Sequence, residues 1–171
     1  MKQIKTLLVL IIFVGLLNCN DKNAISNITV DRYIELLKAN KYDSNDLPAF
    51  TYSDIPALLK FRNETQVITN FPHNGISSFY VPDCKLGIYV LWTIESIRAV
   101  SINSGHMIMR FPSLNPILAL RDSTGFKLVF DETSHEVVAK AYYDWWENNK
   151  GKKYTDFKNT DPLTGTKYKW H

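Results

Sequence analysis

Residues 86–98, LGIYVLWTIESIR, constrain the fold more than any other stretch of the chain. Read as a helix from about Asp83 to Val100, the segment carries apolar residues on every side: Leu86, Ile88, Tyr89, Val90, Leu91, Trp92, Ile94, Ile97 and Val100. A surface helix keeps its apolar residues in one stripe, so a helix apolar all round must be enclosed by protein. It is too short and too interrupted to span a membrane. The chain is therefore expected to build its other elements around this helix. One narrow polar strip remains, in which Glu95 and Arg98 stand three residues apart and can meet across one turn.

That pair has two readings. A buried carboxylate with a raised pKa can serve as a general base, with the arginine holding an anionic substrate. Alternatively, the two charges neutralise each other inside the fold and act as an internal strut. The strut asks for less, because a site needs further partners in space.

The N-terminus must be set aside before the domain is read. Lys2 and Lys5 precede an uncharged apolar run, Leu7 to Leu17. That run is about half the roughly 20 residues of a spanning helix and suits the core of a signal peptide. It ends at Leu16-Leu17-Asn18-Cys19, which resembles the lipobox of bacterial lipoproteins, although Asn18 replaces the usual small residue. The organisation expected is a signal peptide over 1–18, a lipidated polar tether over 19–28 beginning at Cys19, and one globular domain over 29–171. The lipid at Cys19 would be the link to the membrane, because acyl chains contribute about 0.8 kcal/mol per buried methylene. Cys84 is then the one thiol left, and a lone cysteine beside an apolar helix reads as a small buried hydrophobe.

About 150 residues suffice for one domain with a real core. The formal charge of +3 falls close to neutral without Lys2 and Lys5. No polyanionic partner is implied, and nucleic acid is not expected. Lysines do crowd the C-terminal end (Lys150, Lys152, Lys153, Lys158, Lys167, Lys169), which reads as a solvated segment with Leu163, Tyr168 and Trp170 packing back on the domain.

Three further helices are legible. ITVDRYIELLKANK follows a Thr29 N-cap and ends near Asn40. SDIPALLKFRNE has Ser53 or Asp54 as its cap and Pro56 in the first turn, where a missing N–H costs nothing. The last runs through SHEVVAKAYYDWWENNKG, with a capping-box spacing at Thr133 and Glu136 and Gly151 as its stop. Its inward stripe is Val138, Ala141, Tyr142 and Trp145. Trp146 points elsewhere, either wedged against the C-terminal segment or joined to Trp145 in an aromatic contact for a glycan. Between the last two helices, Pro112 and Pro116 forbid a long helix, and the alternating stretches 106–109 and 126–130 are candidates for one short β-hairpin. The fold class expected is mainly α, a single domain of about four helices.

Catalytic motifs are missing from the sequence. HEVVA, from His135 to Ala139, opens like a zinc-protease helix but has Ala139 where the second histidine must stand. There is no G-x-S-x-G, S-x-x-K, C-x-x-C, P-loop or dinucleotide fingerprint. His73, His106 and His171 read as isolated loop or terminal residues. No cofactor and no metal is expected.

The order DIPALL, FP-N-ISS, LG-Y-LWTIESIR, FPSLNP and A-Y-WW resembles a domain-of-unknown-function family of lipoproteins from Bacteroidetes-type bacteria, over about Thr29 to Trp170. The resemblance implies a lipoprotein and carries no activity. The expectation is a lipid-anchored protein of the cell envelope, at the outer membrane, acting as a non-catalytic module that binds or assembles with an envelope protein or glycan. Two rivals stand beside it: a small hydrolase-like enzyme using Glu95 and Arg98, and a glycan-contacting lipoprotein using Trp145 and Trp146.

Overall fold

In the computed structural model, residues 28–122 and 127–171 are described; the expected signal peptide over 1–18, Cys19 and Phe126 lie outside them. The central helix is α3, Leu86–Ser101, and its enclosure is nearly complete. Trp92, Tyr89, Leu91 and Ile94 are fully buried, while Val100 at its end is exposed. The helix starts at Leu86 rather than near Asp83, because its first N–H groups find backbone partners and not a side-chain cap. Leu86 N donates to the Gln66 carbonyl and Gly87 N to that of Glu64, both at 2.8 Å. These bonds satisfy donors that a helix start leaves orphaned.

Three helices cover α3. α1, Val30–Lys38, is capped by Thr29, whose hydroxyl accepts from Arg32 N at 3.3 Å. It buries Val30, Tyr33, Ile34 and Leu37, and Tyr33 reaches Thr93 of α3 through their hydroxyls at 3.4 Å. α2, Ile55–Leu59, follows a single 3-10 turn in which Asp54 and Thr51 form a capping box, and it holds Pro56 in its first turn. α4, Glu132–Glu147, packs along α3 with Val138, Tyr142 and Trp145 buried.

Its cap differs from the expected one. Asp131, not Thr133, is the N-cap, and its carboxylate accepts from Ser134 N at 2.8 Å. Thr133 then falls inside the first turn. An aspartate at the helix start supplies both the acceptor and a charge that suits the positive end of the helix dipole. At the other end Gly151 takes the left-handed conformation, φ 85°, after the last turn. A short helix, α5, Tyr154–Phe157, follows.

Among the described residues there are five α-helices and two small antiparallel sheets, so strand contributes more than one hairpin. β1, Val67–Ile68, pairs with β2, Cys84–Lys85, immediately before α3. The second sheet has β3, Leu118–Leu120, at its centre, between β4, Leu128–Val129, and β5, Tyr168–Trp170. The expected pairing of 106–109 with 126–130 is not the one found. Leu128 and Val129 pair instead with Ala119 and Leu118, and the 106–109 stretch folds on itself through a bridge between Ile108 and Phe111. β3 was hard to see because Leu118 and Ala119 are both buried, so the strand lacks the alternation that marks one with a wet face. The C-terminal segment is not merely solvated: β5 is a strand in register with β3, and Leu163 and Tyr168 are buried.

Candidate functional site

Glu95 and Arg98 meet, and the contact is a fork. Arg98 Nη2 donates to Glu95 Oε1 at 2.5 Å and Nε to Oε2 at 3.0 Å. Two parallel charge-assisted bonds fix both planes, which a lysine could not do. Their side chains are 10% and 12% exposed respectively, so the pair is close to dry. Neither charge is left with one partner. Tyr142 of α4 donates its hydroxyl to Glu95 Oε2 at 2.9 Å, and the same hydroxyl accepts from the Trp170 indole of β5 at 2.8 Å. Arg98 also reaches the Lys158 carbonyl at 3.4 Å, and Lys158 in turn donates to the Ser101 carbonyl at 2.8 Å. The network ties α3 to α4, to β5 and to the segment after α5.

Burial pushes the Glu95 carboxyl above its ordinary range, against the opposing pull of Arg98 and the Tyr142 hydroxyl. Arg98 is driven further toward its charged form by Glu95, which outweighs the cost of its own burial. Three donors already hold the two Glu95 oxygens, so a substrate would have to displace Arg98 or Tyr142 to reach the carboxylate.

Beside this pair lies a solvent-open groove of about 430 Å³. Ile108, Pro112, Leu114 and Trp170 give it apolar walls, Glu95 and Arg98 line it from α3, and His106, Lys169 and His171 bring basic groups. Asn74 and Ser113 complete one side, but their polar atoms are spent on the fold. Asn74 Nδ2 donates to the Ser113 carbonyl at 3.1 Å and its Oδ1 accepts from Ile76 N at 3.1 Å. Ser113 Oγ accepts from the Trp92 indole at 2.8 Å and donates to the Asn115 carbonyl at 3.0 Å. Asp161 is held by Arg121 at 3.2 Å.

The structure thus joins two histidines that look isolated in sequence, His106 and His171, with Glu95, Arg98 and Trp170. Strand β5 brings His171 there, where Asn115 N donates to the His171 carbonyl at 3.1 Å and His171 N to that of Ile117 at 3.0 Å, while His106 comes from the loop after α3. The alternation Tyr168-Lys169-Trp170 was the local signal for a strand, but nothing local names β3 as its partner.

Trp145 and Trp146 are placed elsewhere. Trp145 is buried, and its ring lies 5.3 Å from that of Phe157; Trp146 is half-buried, 6.0 Å from the same ring. Both indoles pack on α5, inclined by 53° to each other, and they do not present one flat face to solvent. His135 of the HEVVA stretch is buried and carries its proton on Nε2, which donates to the Arg62 carbonyl at 2.7 Å. Among the described residues no group of three His, Cys, Asp or Glu is placed to hold a metal ion. Cys84 is buried at the edge of a second, smaller slot of about 190 Å³ walled by Val67, Ile88, Leu118 and Val129, and burial pushes its thiol pKa up. A thiol so disfavoured as thiolate is a poor nucleophile. No helix of the described residues is long and apolar enough to cross a membrane.

No curated protein and no solved structure matches the chain. A family model does match, over residues 24–171, which takes in every described residue. The chain belongs to the DUF4943 family, a domain of unknown function.

Proposed function

We propose that this protein is a lipoprotein of the bacterial cell envelope, anchored at the outer membrane through Cys19, and that its domain is a non-catalytic binding module. The groove beside Trp170 is its ligand site. The observation that carries the reading is the state of Glu95: both carboxylate oxygens are already bonded, to Arg98 and Tyr142, at the floor of a groove whose walls are apolar. Binding sites are concave and combine apolar contact area with polar groups that orient the ligand, and this groove sets Ile108, Pro112, Leu114, Leu163 and Trp170 among charged and polar side chains. A hydrolase would need the carboxylate free. The anchor rests on the run from Leu7 to Cys19, and the tether that follows is short enough to keep the domain near the membrane.

The test has two arms. Cys19→Ser should release the full-length chain from membranes and abolish incorporation of labelled palmitate; lipid-free membrane association that survives the change would exclude the anchor. In the second arm, the soluble chain from Asn20 onward is sedimented with isolated envelope material from a diderm bacterium, alongside Leu114→Trp, which fills the groove from its rim. Retention that falls at least tenfold in the variant supports the binding module. Release of soluble fragments from that material, lost in Glu95→Gln, would instead make the protein an enzyme.

A further inference from the structure

We infer that the groove recognises the C-terminal carboxylate of a peptide chain that ends in an apolar residue. This rests on the binding-module reading and names its ligand. The first argument is charge. Of the charged groups on the groove, Glu95 is neutralised by Arg98 and Asp161 by Arg121, while Lys169 has no carboxylate partner among the described residues. The groove therefore presents an uncompensated cation, with the His106 imidazole on the same lining.

The second argument is the shortage of hydroxyl-matching groups. A neutral sugar needs many short polar partners, and the amide of Asn74 and the hydroxyl of Ser113 are engaged within the fold. What remains is apolar wall, Ile108, Pro112, Leu114 and Trp170, together with the Lys169 ammonium. That combination fits a carboxylate attached to an apolar side chain, a recurrent mode of chain-end capture.

The third argument concerns length. At the His171 end the apolar surface continues: the Phe79 ring stands 6.3 Å from that of His171, and Phe79 and Ile76 are both exposed, 47% and 68%. A ligand that ended with the groove would leave this extension uncovered, whereas residues preceding a chain end would run along it.

The experiment is calorimetric titration of the soluble chain from Asn20 with four probes: acetyl-Gly-Ala-Leu-Phe with a free carboxylate, the same peptide as its C-terminal amide, hexanoate and maltotriose. The free peptide acid should bind, the amide at least tenfold more weakly, and hexanoate at least tenfold more weakly than the peptide acid. Lys169→Met should lose tenfold or more for the acid with little change for the amide, at an unchanged melting temperature. Equal binding of acid and amide, hexanoate as tight as the peptide, preference for maltotriose, or no binding of the peptide acid at millimolar concentration would each overturn the inference. The reading beneath it fails separately, if envelope retention is indifferent to Leu114→Trp.

Discussion

Gly87 shows how one residue can decide the packing of two helices. A Cβ built there would stand 2.5 Å from both the Arg62 carbonyl oxygen and His135 Nε2, the two atoms that share the hydrogen bond between the loop after α2 and the start of α4. Alanine is better than glycine by about 1 kcal/mol in an ordinary helix, but here the added methyl must displace a backbone carbonyl and a buried ring. We predict that Gly87→Ala lowers unfolding free energy by about 2 kcal/mol or more in urea, where a solvent-facing helical glycine would show a gain. Cys84 should resist aromatic disulfide reagents until the chain unfolds, since burial disfavours its thiolate. Titration of Glu95 has a definite sign. Its pKa is raised in the folded chain, so the native state holds the proton more tightly than the unfolded one. That contribution is complete below the ordinary glutamate value and is lost as pH climbs through the raised one. Stability followed by urea from about pH 4 to about pH 8 should accordingly fall with rising pH in the parent relative to Glu95→Gln.

At the scale of elements, the caps and the sheet separate what was legible from what was not. Asp131→Ala should cost about 1 kcal/mol of stability, and Thr133→Ala only a few tenths, because Asp131 accepts the Ser134 N–H while Thr133 lies within the first turn. Reversed magnitudes would restore the cap to Thr133. Four of the five described helices could be read from local chemistry, α5 being the one missed: Thr29 before α1, Pro56 in α2, all-round apolarity in α3, and Gly151 after α4 are each properties of a few neighbouring residues. The sheet could not. β3 is buried on both faces and so has no period, and β4 and β5 are short segments whose partner is decided by tertiary packing. The groove was illegible for the same reason. Glu95 and Arg98 announce themselves by spacing, but Tyr142 reaches Glu95 only because α4 packs on α3, Lys169 and Trp170 join the groove because β5 lies on β3, and His106 joins it from the loop after α3. Removing 156–171 takes away β5 together with the buried Phe157, Leu163 and Tyr168, and should unfold the domain or lower its melting temperature by more than about 10 °C. An unchanged melting temperature would mean that the segment does not dock.

For the whole molecule, the account turns on whether the Glu95–Arg98 pair holds the fold together or is kept for chemistry. Its partners lie on α3, α4 and β5 and in the segment after α5, so a strut there is felt in the global unfolding transition. Removing one member leaves a buried charge without its counterpart, at a cost of roughly 3–5 kcal/mol, whereas replacing both with apolar groups of similar volume removes the desolvation penalty along with the attraction. Groups retained for catalysis behave otherwise, since their loss commonly leaves stability unchanged or improved. The most direct measurement is a double-mutant cycle by urea unfolding on the soluble chain from Asn20, with Glu95→Leu, Arg98→Met and the two combined. The strut predicts single losses of roughly 3–5 kcal/mol and a double loss well short of their sum; small additive losses, below about 0.5 kcal/mol each, would contradict it and return Glu95 to the role of a catalytic carboxylate.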